Sequence, residues 1–473
     1  MTRVPQVTKD HLVNDDVTLQ EPSIEHILSS LDEDMFVNDS SRTTLQLLSQ
    51  NASSLRRVDL SARFALPFNG VAELDAEGAL FLQCYREKYC SFVSIAPEKL
   101  NYFLKTFFSL AMQKQSILYA LTAWGGFFSE LIKPERNFSK PWFYMQKAAK
   151  LICEEIGSNL EPSNKEEFFT LFAFYLIFIG IEVCTGDVKV WIEFHRRCFR
   201  LINSVGGLLC VAEQFGHSNN IKWLISDFQF HDVLSSNALT GGTHFSIAEY
   251  EEILHDDNEY GIDPLQGTIT PIYNILGEIA NAKVELLKML DRINELEDSG
   301  QEAYVERAQY YEELERVWAE LNAKIDQCSP WPSHMRMLAH DQNQLSLHMA
   351  LFELYTYVCR IQLGTSILRL APSSIAQQRL LLKALVLVDL LLDTPLNVSL
   401  SLLLLVCGVT CWRTYDRARM RFRFEHQQNQ YEIGNSRRIQ EVVEGVWLEN
   451  PNGDVCIDWA EFANRNGWSL YTG

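Results

Sequence analysis

The sequence predicts an all-α protein, a large multi-helix domain behind an acidic N-terminal tail. Three observations predict it. From about residue 72 onward, apolar residues recur three and four apart almost without interruption, the spacing that lines one face of a helix. Helix punctuation accompanies the pattern. Ser163-Asn164-Lys165-Glu166 has the form of a capping box ahead of an apolar run, and Gly206-Gly207 closes another helix. Strand signals are few, and no βαβ rhythm, Gly-rich phosphate loop or fixed-period repeat occurs.

Taken in order, residues 1–62 are rich in Asp, Asn, Ser and Thr and lack sustained periodicity, the composition of a flexible acidic tail. Within it, 24–36 alternates acids with Leu, Met and Phe. Such segments occur in disordered activation regions that fold on a partner, and equally in solvated linkers, which is the preferred reading. Residues 63–473 form the helical domain. Leu80, Tyr85 and Tyr89 suggest a first helix, residues 99–128 two more split near 113–116, and 140–157 another. The 14-residue apolar run 168–181 follows the capping signal, then 188–205 ends at Gly206-Gly207, and 221–236 comes next. Residues 237–270, with Gly241-Gly242, acids and Pro264, read as a long irregular connection between sub-lobes 72–236 and 271–473. Residues 271–296 and 303–325 pair as an amphipathic hairpin. Tyr311, Leu314, Trp318, Leu321 and Ile325 make an apolar stripe on its second helix. After Pro330-Trp331-Pro332, helices are expected over 343–364, 376–392, 400–423 and 435–447.

Composition excludes several classes. At 47% hydrophobic and 22% charged, the 473-residue chain can build a large core. Its formal charge of −20 repels phosphate backbones and anionic bilayers, so these residues as a body are not expected to bind DNA or membranes. The apolar runs at 168–181 and 399–412 fall short of the roughly 20 residues a bilayer span needs. No secretory leader is seen at the N-terminus. The 11 cysteines form no C-x-x-C pair and sit in apolar surroundings, as small hydrophobes of a reducing compartment do.

Reactive constellations are sparse. Cys407 and Cys411 share a helix face but have no third ligand nearby. His255-Asp256-Asp257-Asn258-Glu259 is an acidic cluster with no matching second metal motif, and reads as an exposed loop. Asn450, Asn452, Asp454, Asp458 and Glu461 fall in calcium-loop register. Val455 replaces the required glycine, however, so a capped turn between short helices is preferred. Arg413, Arg417, Arg419, Arg421 and Arg423 could hold a phosphate or an acidic partner. The plainer reading is a solvated helix end, with cations at the negative pole of the dipole. His195 and His231 lie among apolar residues, where a hydrogen-bonded core histidine is the ordinary outcome. No enzyme motif is present, and catalysis is not expected.

One segment carries more. Trp191, His195 four residues later, Leu201-Ile202 and Gly206-Gly207 follow an apolar helix with Glu182 and the run 144–152. The aromatic helix 223–236 comes next with Asp232, then 402–408, Arg417, Gly434-Asn435, Trp447, Asp458-Trp459 and Gly467-Trp468. In this order the chain, from about 72 to 470, resembles the fungal-specific regulatory (middle homology) domain of fungal zinc-cluster transcription factors. Within that family it resembles the branch with lysine-biosynthesis and GABA-catabolism activators. The resemblance implies a nuclear transcriptional regulator and makes Trp191, His195, Gly206, Gly207 and Asp232 structural signature residues. The partners it implies are transcription machinery or co-regulators, a second chain in a homo- or heterodimer, and a small-molecule inducer. Family members hold two zinc ions with six N-terminal cysteines. Here no cysteine precedes Cys84 and that spacing never occurs, so no cofactor and no direct DNA contact are expected of this chain. Either the gene model is truncated or the protein acts through a partner. The alternative is a helical scaffold unrelated to transcription that docks partners on the hairpin 272–325. A metal-dependent helical enzyme is disfavoured for want of a ligand set.

Overall fold

The computed structural model describes residues 74–133, 135–186, 189–236, 241–257, 259–430 and 434–472, so the tail 1–62 with its segment 24–36 lies outside them. Among the described residues every regular element is helical, and one isolated bridge pairs Asp263 with Gly267. Helix α1 (Ala76–Cys84) begins where the Asp75 carboxylate accepts from the Gly78 amide. It runs through a π turn, Tyr85–Tyr89, into α2 (Cys90–Val93). Leu80 faces solvent, whereas Tyr85 and Tyr89 are buried. A second π turn, Phe103–Phe108, leads through α3 (Ser109–Ala111) to α4 (Gln115–Leu131), with the break at 112–114 where the sequence places it. Such turns re-aim side chains by inserting one residue into the helical ladder, and they concentrate at functional sites.

Helix α5 (Ser139–Ile156) packs on α4 and ends at Gly157, whose φ of 110° suits a residue without Cβ. Helix α6 (Lys165–Thr185) is apolar on all sides, as a helix enclosed by others must be. Its 21 residues and mean hydropathy of 2.1 make it long and apolar enough to cross a membrane, yet 83% of that stretch is buried inside the protein. The capping box expected at Ser163 and Glu166 is displaced by one residue. Asn164 accepts from the Glu167 amide at 3.0 Å, and Glu167 reaches back to the Ser163 amide at 2.7 Å and hydroxyl at 2.8 Å. With the Ser163 hydroxyl committed to Glu167, the Asn164 amide is left to cap the first turn. Asn164→Ala should lower stability by about 1 kcal/mol, read as a shift in the urea midpoint at constant slope.

Helices α7 (Trp191–Ser204), α8 (Leu208–Gln214) and α9 (Asn219–Ser236) follow. The connection expected to be irregular over 237–270 contains a short helix, α10 (Ile247–Ile253). A complete capping box of Ser246 and Glu249 starts it, a signal masked in the sequence by surrounding acids. The hairpin forms from α11 (Thr270–Asp298) and α12 (Tyr304–Gln327). The stripe on α12 is covered only at its far end. Leu321 and Ile325 are buried, while Tyr311 stays 65% exposed.

After α13 (Pro332–Leu338) come α14 (Gln342–Ser366) and α15 (Ile375–Leu391). The single helix expected over 400–423 is two helices, α16 (Ser401–Thr410) and α17 (Thr414–Gln430). Extended backbone at Cys411 breaks them, and its carbonyl accepts from Arg417 Nε at 3.1 Å. Arg417, Arg419 and Arg421 therefore lie in the first half of α17 rather than at its C-terminal end, where the dipole would favour them, and Arg423 lies just past its middle. Specific partners hold them there. Arg423 grips Asp389 with two bonds of 2.7 Å, Arg421 pairs with Glu444 at 2.9 Å, and Arg417 caps the Asn450 carbonyl at 2.8 Å. Helices α18 (Gly434–Glu449) and α19 (Trp459–Arg465) complete the chain. Across 237–270, α6 contacts α18 and α9 contacts α11, and all described residues belong to one compact unit.

Candidate functional site

Three core helices, α4, α6 and α9, enclose a cavity at the centre of this unit. Both π turns contribute to its wall, the first through Tyr89 and the second through Phe103. Trp124 of α4 is drawn against α6 because position 180 is glycine. A Cβ there would stand 2.2 Å from the indole Cζ2. The indole Nε1 donates to Cys184 Sγ at 3.3 Å, and Cys184 lies 3.7 Å from the Tyr89 hydroxyl. Burial pushes the Cys184 thiol up to about 11, so it stays protonated and packs as an apolar group. Tyr89 sits 4.6 Å from Trp124 and 6.2 Å from Phe103, centroid to centroid, which makes one side of the cavity a box of aromatic rings.

The lining also carries polar groups. Asp227 and His231 are one turn apart on α9, and His231 Nε2 lies 3.2 Å from the Asp227 carboxylate. Burial raises the Asp227 pKa above its ordinary value, against the opposing His231 bond. His231 Nδ1 and the Tyr471 hydroxyl are buried and have no hydrogen-bond partner. Native interiors rarely leave such atoms unmatched without a reason. Both line the cavity, as do Gln427, Ser436 and Ser399. The interior offers about 110 Å³ to the centres of water-sized groups. Phe92, Val398 and Ser399 at its edge are half-buried, whereas Phe103, Trp124, Asp227 and Tyr471 are buried. Of these groups the sequence singled out only His231. Its partner was legible as an Asp-x-x-x-His spacing within one helix, and the distant Tyr471 was not.

The five signature residues lie beside this cavity rather than in it. Trp191 is fully buried, donates to the Ser469 carbonyl at 2.8 Å, and packs 5.2 Å from the Tyr471 ring. Gly206 and Gly207 end α7 with φ of 103° and 97°, a backbone that only glycine adopts without strain. His195 stacks on Phe228 at 4.8 Å, and its Nε2 is 3.9 Å from Asp232. Both its ring nitrogens lack a hydrogen-bond partner, so it departs from the bonded core histidine expected. Asp232 is the hub. It accepts from the His244 amide and Nδ1, both at 2.9 Å, and from the Tyr250 hydroxyl at 2.8 Å.

Metal-ligand chemistry can be tested on these geometries. His195, Asp232 and His244 bring ligand atoms within 4.8 Å of one another, but the Asp232 oxygens are already filled by those donors. In the acidic loop, Asp257 is paired with Lys222 and Asp256 with Ser333. In the calcium-like segment, Asn450 bonds the Val455 carbonyl, while Asp458 caps α19 and pairs with Lys283. The cysteines do not suit the paired zinc ions of the resembled family. Among the described residues all 11 are free, they are dispersed, and burial raises thiols such as Cys90, Cys407 and Cys411 away from the thiolate form that zinc requires.

Residues 80–473 match the family model of the fungal-specific transcription factor domain. The chain belongs to that family. It is 28% identical over 391 residues to an uncharacterized transcriptional regulatory protein of Schizosaccharomyces pombe, across 82% of this chain and 70% of that one. It is 25% identical over 424 residues to the transcriptional activator protein UGA3 of Saccharomyces cerevisiae, across 80% of this chain and 75% of that one. No solved structure matches. The domain and these relatives are transcriptional regulators rather than enzymes.

Proposed function

We propose that this transcriptional regulator senses a small molecule in its central cavity and passes occupancy through the surrounding helices to partners in the nucleus. The observation that carries the reading is the pairing of cavity and chemistry. A cavity is lined by His231 and Tyr471, whose buried Nδ1 and hydroxyl have no hydrogen-bond partner among the described residues. A bound effector would satisfy them and fill the space between α4, α6 and α9, which between them contact α1, α5, α7, α10, α11 and α18. On this reading Trp191, His195, Gly206, Gly207 and Asp232 are structural, catalysis has no part, and DNA reading falls to another segment or a partner.

The test is a reporter driven by the full chain fused to a heterologous DNA-binding domain, compared across nutrient conditions. Output should change with nutrient, and Ser399→Phe, which fills the half-buried edge of the cavity, should abolish at least tenfold of that change at equal protein level. Output that is constant under every condition, or that responds identically in Ser399→Phe, would overturn the sensor reading.

A further inference from the structure

The cavity's chemistry narrows what it takes. Asp227 is its one charged lining residue, and among the described residues that line it there is no Lys or Arg. The ion-pair partner of this carboxylate is a neighbouring histidine at 3.2 Å, with Asp263 a second buried carboxylate acting on it from nearby. A buried carboxylate without a full counter-charge is costly, and a cationic ligand removes that cost. The same lining carries a cluster of aromatic rings, Tyr89, Phe103 and Trp124, whose negative faces attract a cation in a water-poor site.

Two features then bound the ligand's other end. With no cationic side chain on the lining, a ligand carboxylate or phosphate would be buried unpaired, so anionic and zwitterionic molecules are excluded. The interior, about 110 Å³, limits the ligand to a small molecule.

Resting on the sensor reading above, we infer that the cavity binds a small organic amine without an acidic group, its ammonium between Asp227 and the Tyr89–Trp124 rings and its body against Phe103. The Tyr471 hydroxyl and His231 Nδ1 accept the remaining ammonium protons.

Calorimetric titration of the full chain tests this with three probes of matched body: 2-phenylethylamine, its neutral counterpart 2-phenylethanol, and the zwitterion phenylalanine. The amine should bind at least tenfold more tightly than either of the others. Asp227→Asn should remove that preference while its melting transition stays cooperative, and Ser399→Phe, which keeps the carboxylate, should block all binding. If Asp227→Asn fails to fold, the ranking of the three probes on the parent chain and the Ser399→Phe block still decide. Equal or tighter binding of the alcohol or of phenylalanine, or no heat with any probe, overturns the amine inference. The sensor reading is judged separately by the reporter, since a nutrient response lost in Ser399→Phe supports it whichever probe wins.

Discussion

Asp232→Ala is expected to be the most damaging single substitution outside the cavity, costing about 3–5 kcal/mol. Asp232 is fully buried at the end of α9 and serves as acceptor for the segment that leads into α10. Removing the carboxylate strands the half-buried His244 amide at 2.9 Å and the buried Tyr250 hydroxyl at 2.8 Å, with no other acceptor placed for them among the described residues. Each stranded donor forfeits its hydration without compensation, at about 1–3 kcal/mol. Against a typical total of about 5–15 kcal/mol, the change threatens the fold itself. Asp232→Asn should cost less, because one oxygen remains to accept, although its amide group then faces donors. Tyr250→Phe should cost only about 1–2 kcal/mol, since it leaves the rest of the hub intact. Denaturant midpoints of the three variants order them. An Asp232→Ala midpoint within error of the parent would show that water replaces the carboxylate, and the hub argument would fail.

That hub also shows what the sequence could and could not convey. Helix positions are local properties. The 3.6-residue spacing located α5, α7 and the α11–α12 hairpin because each helix turns one apolar face to the core. Where local signals compete, the reading slipped. Ser163 and Asn164 are adjacent residues able to cap α6, and only the geometry of Glu167 decides between them. Cys411 has no breaker beside it, so the split between α16 and α17 is set by tertiary bonds from Arg417 rather than by propensity. The acids around Ser246 hid a capping box inside a stretch that looks like loop.

The site is less legible for a related reason. Its wall joins residues 89, 103, 124, 180, 227, 231 and 471, which no local window contains. The π turns that supply Tyr89 and Phe103 have ordinary helical composition, so nothing in the order of YREKY or FLKTFF announces the inserted residue. Asp232 was found through family order alone, and that order says nothing of the bonds it makes. The Asp227–His231 spacing was the single local clue, and in a helix buried on every side it looks like any other polar pair.

Acidification from pH 7.5 to 5.0 should cost the domain about 2 kcal/mol through the buried His348, with the buried His195 adding in the same direction. His195 is fully buried. Burial holds its pKa well below the ordinary value, and the nearby His244, His231 and Arg196 add to the effect, while Asp232 stands 3.9 Å away. His348 on α14 is also fully buried and is pushed down to about 4, with the Ile95 backbone favouring its charged form and His334 opposing it. His334 in turn is lowered by burial against the pull of Asp256 and Asp263, and adds in the same direction. Each folded-state value lies below the unfolded one, so the unfolded chain takes up protons first. The stabilisation is complete above about pH 6.5 and is lost as pH falls through and below that value. A histidine kept neutral at pH 5 forgoes about 2 kcal/mol that the unfolded chain gains by protonation. Carboxylates held below their ordinary range do not confuse this window, whereas Asp227, raised by burial, takes up its proton first in the folded state and offsets part of the loss. Asp75, held at about 2 by the Tyr144 hydroxyl and the Gly78 amide, loses its contribution only between its unfolded value near 4 and that point. Urea midpoints at the two pH values measure the loss, and His348→Gln should shrink the difference by about 2 kcal/mol whatever it does to stability at pH 7.5. Equal midpoints at both pH values would mean that these histidines protonate within the folded core, and the burial argument would be wrong.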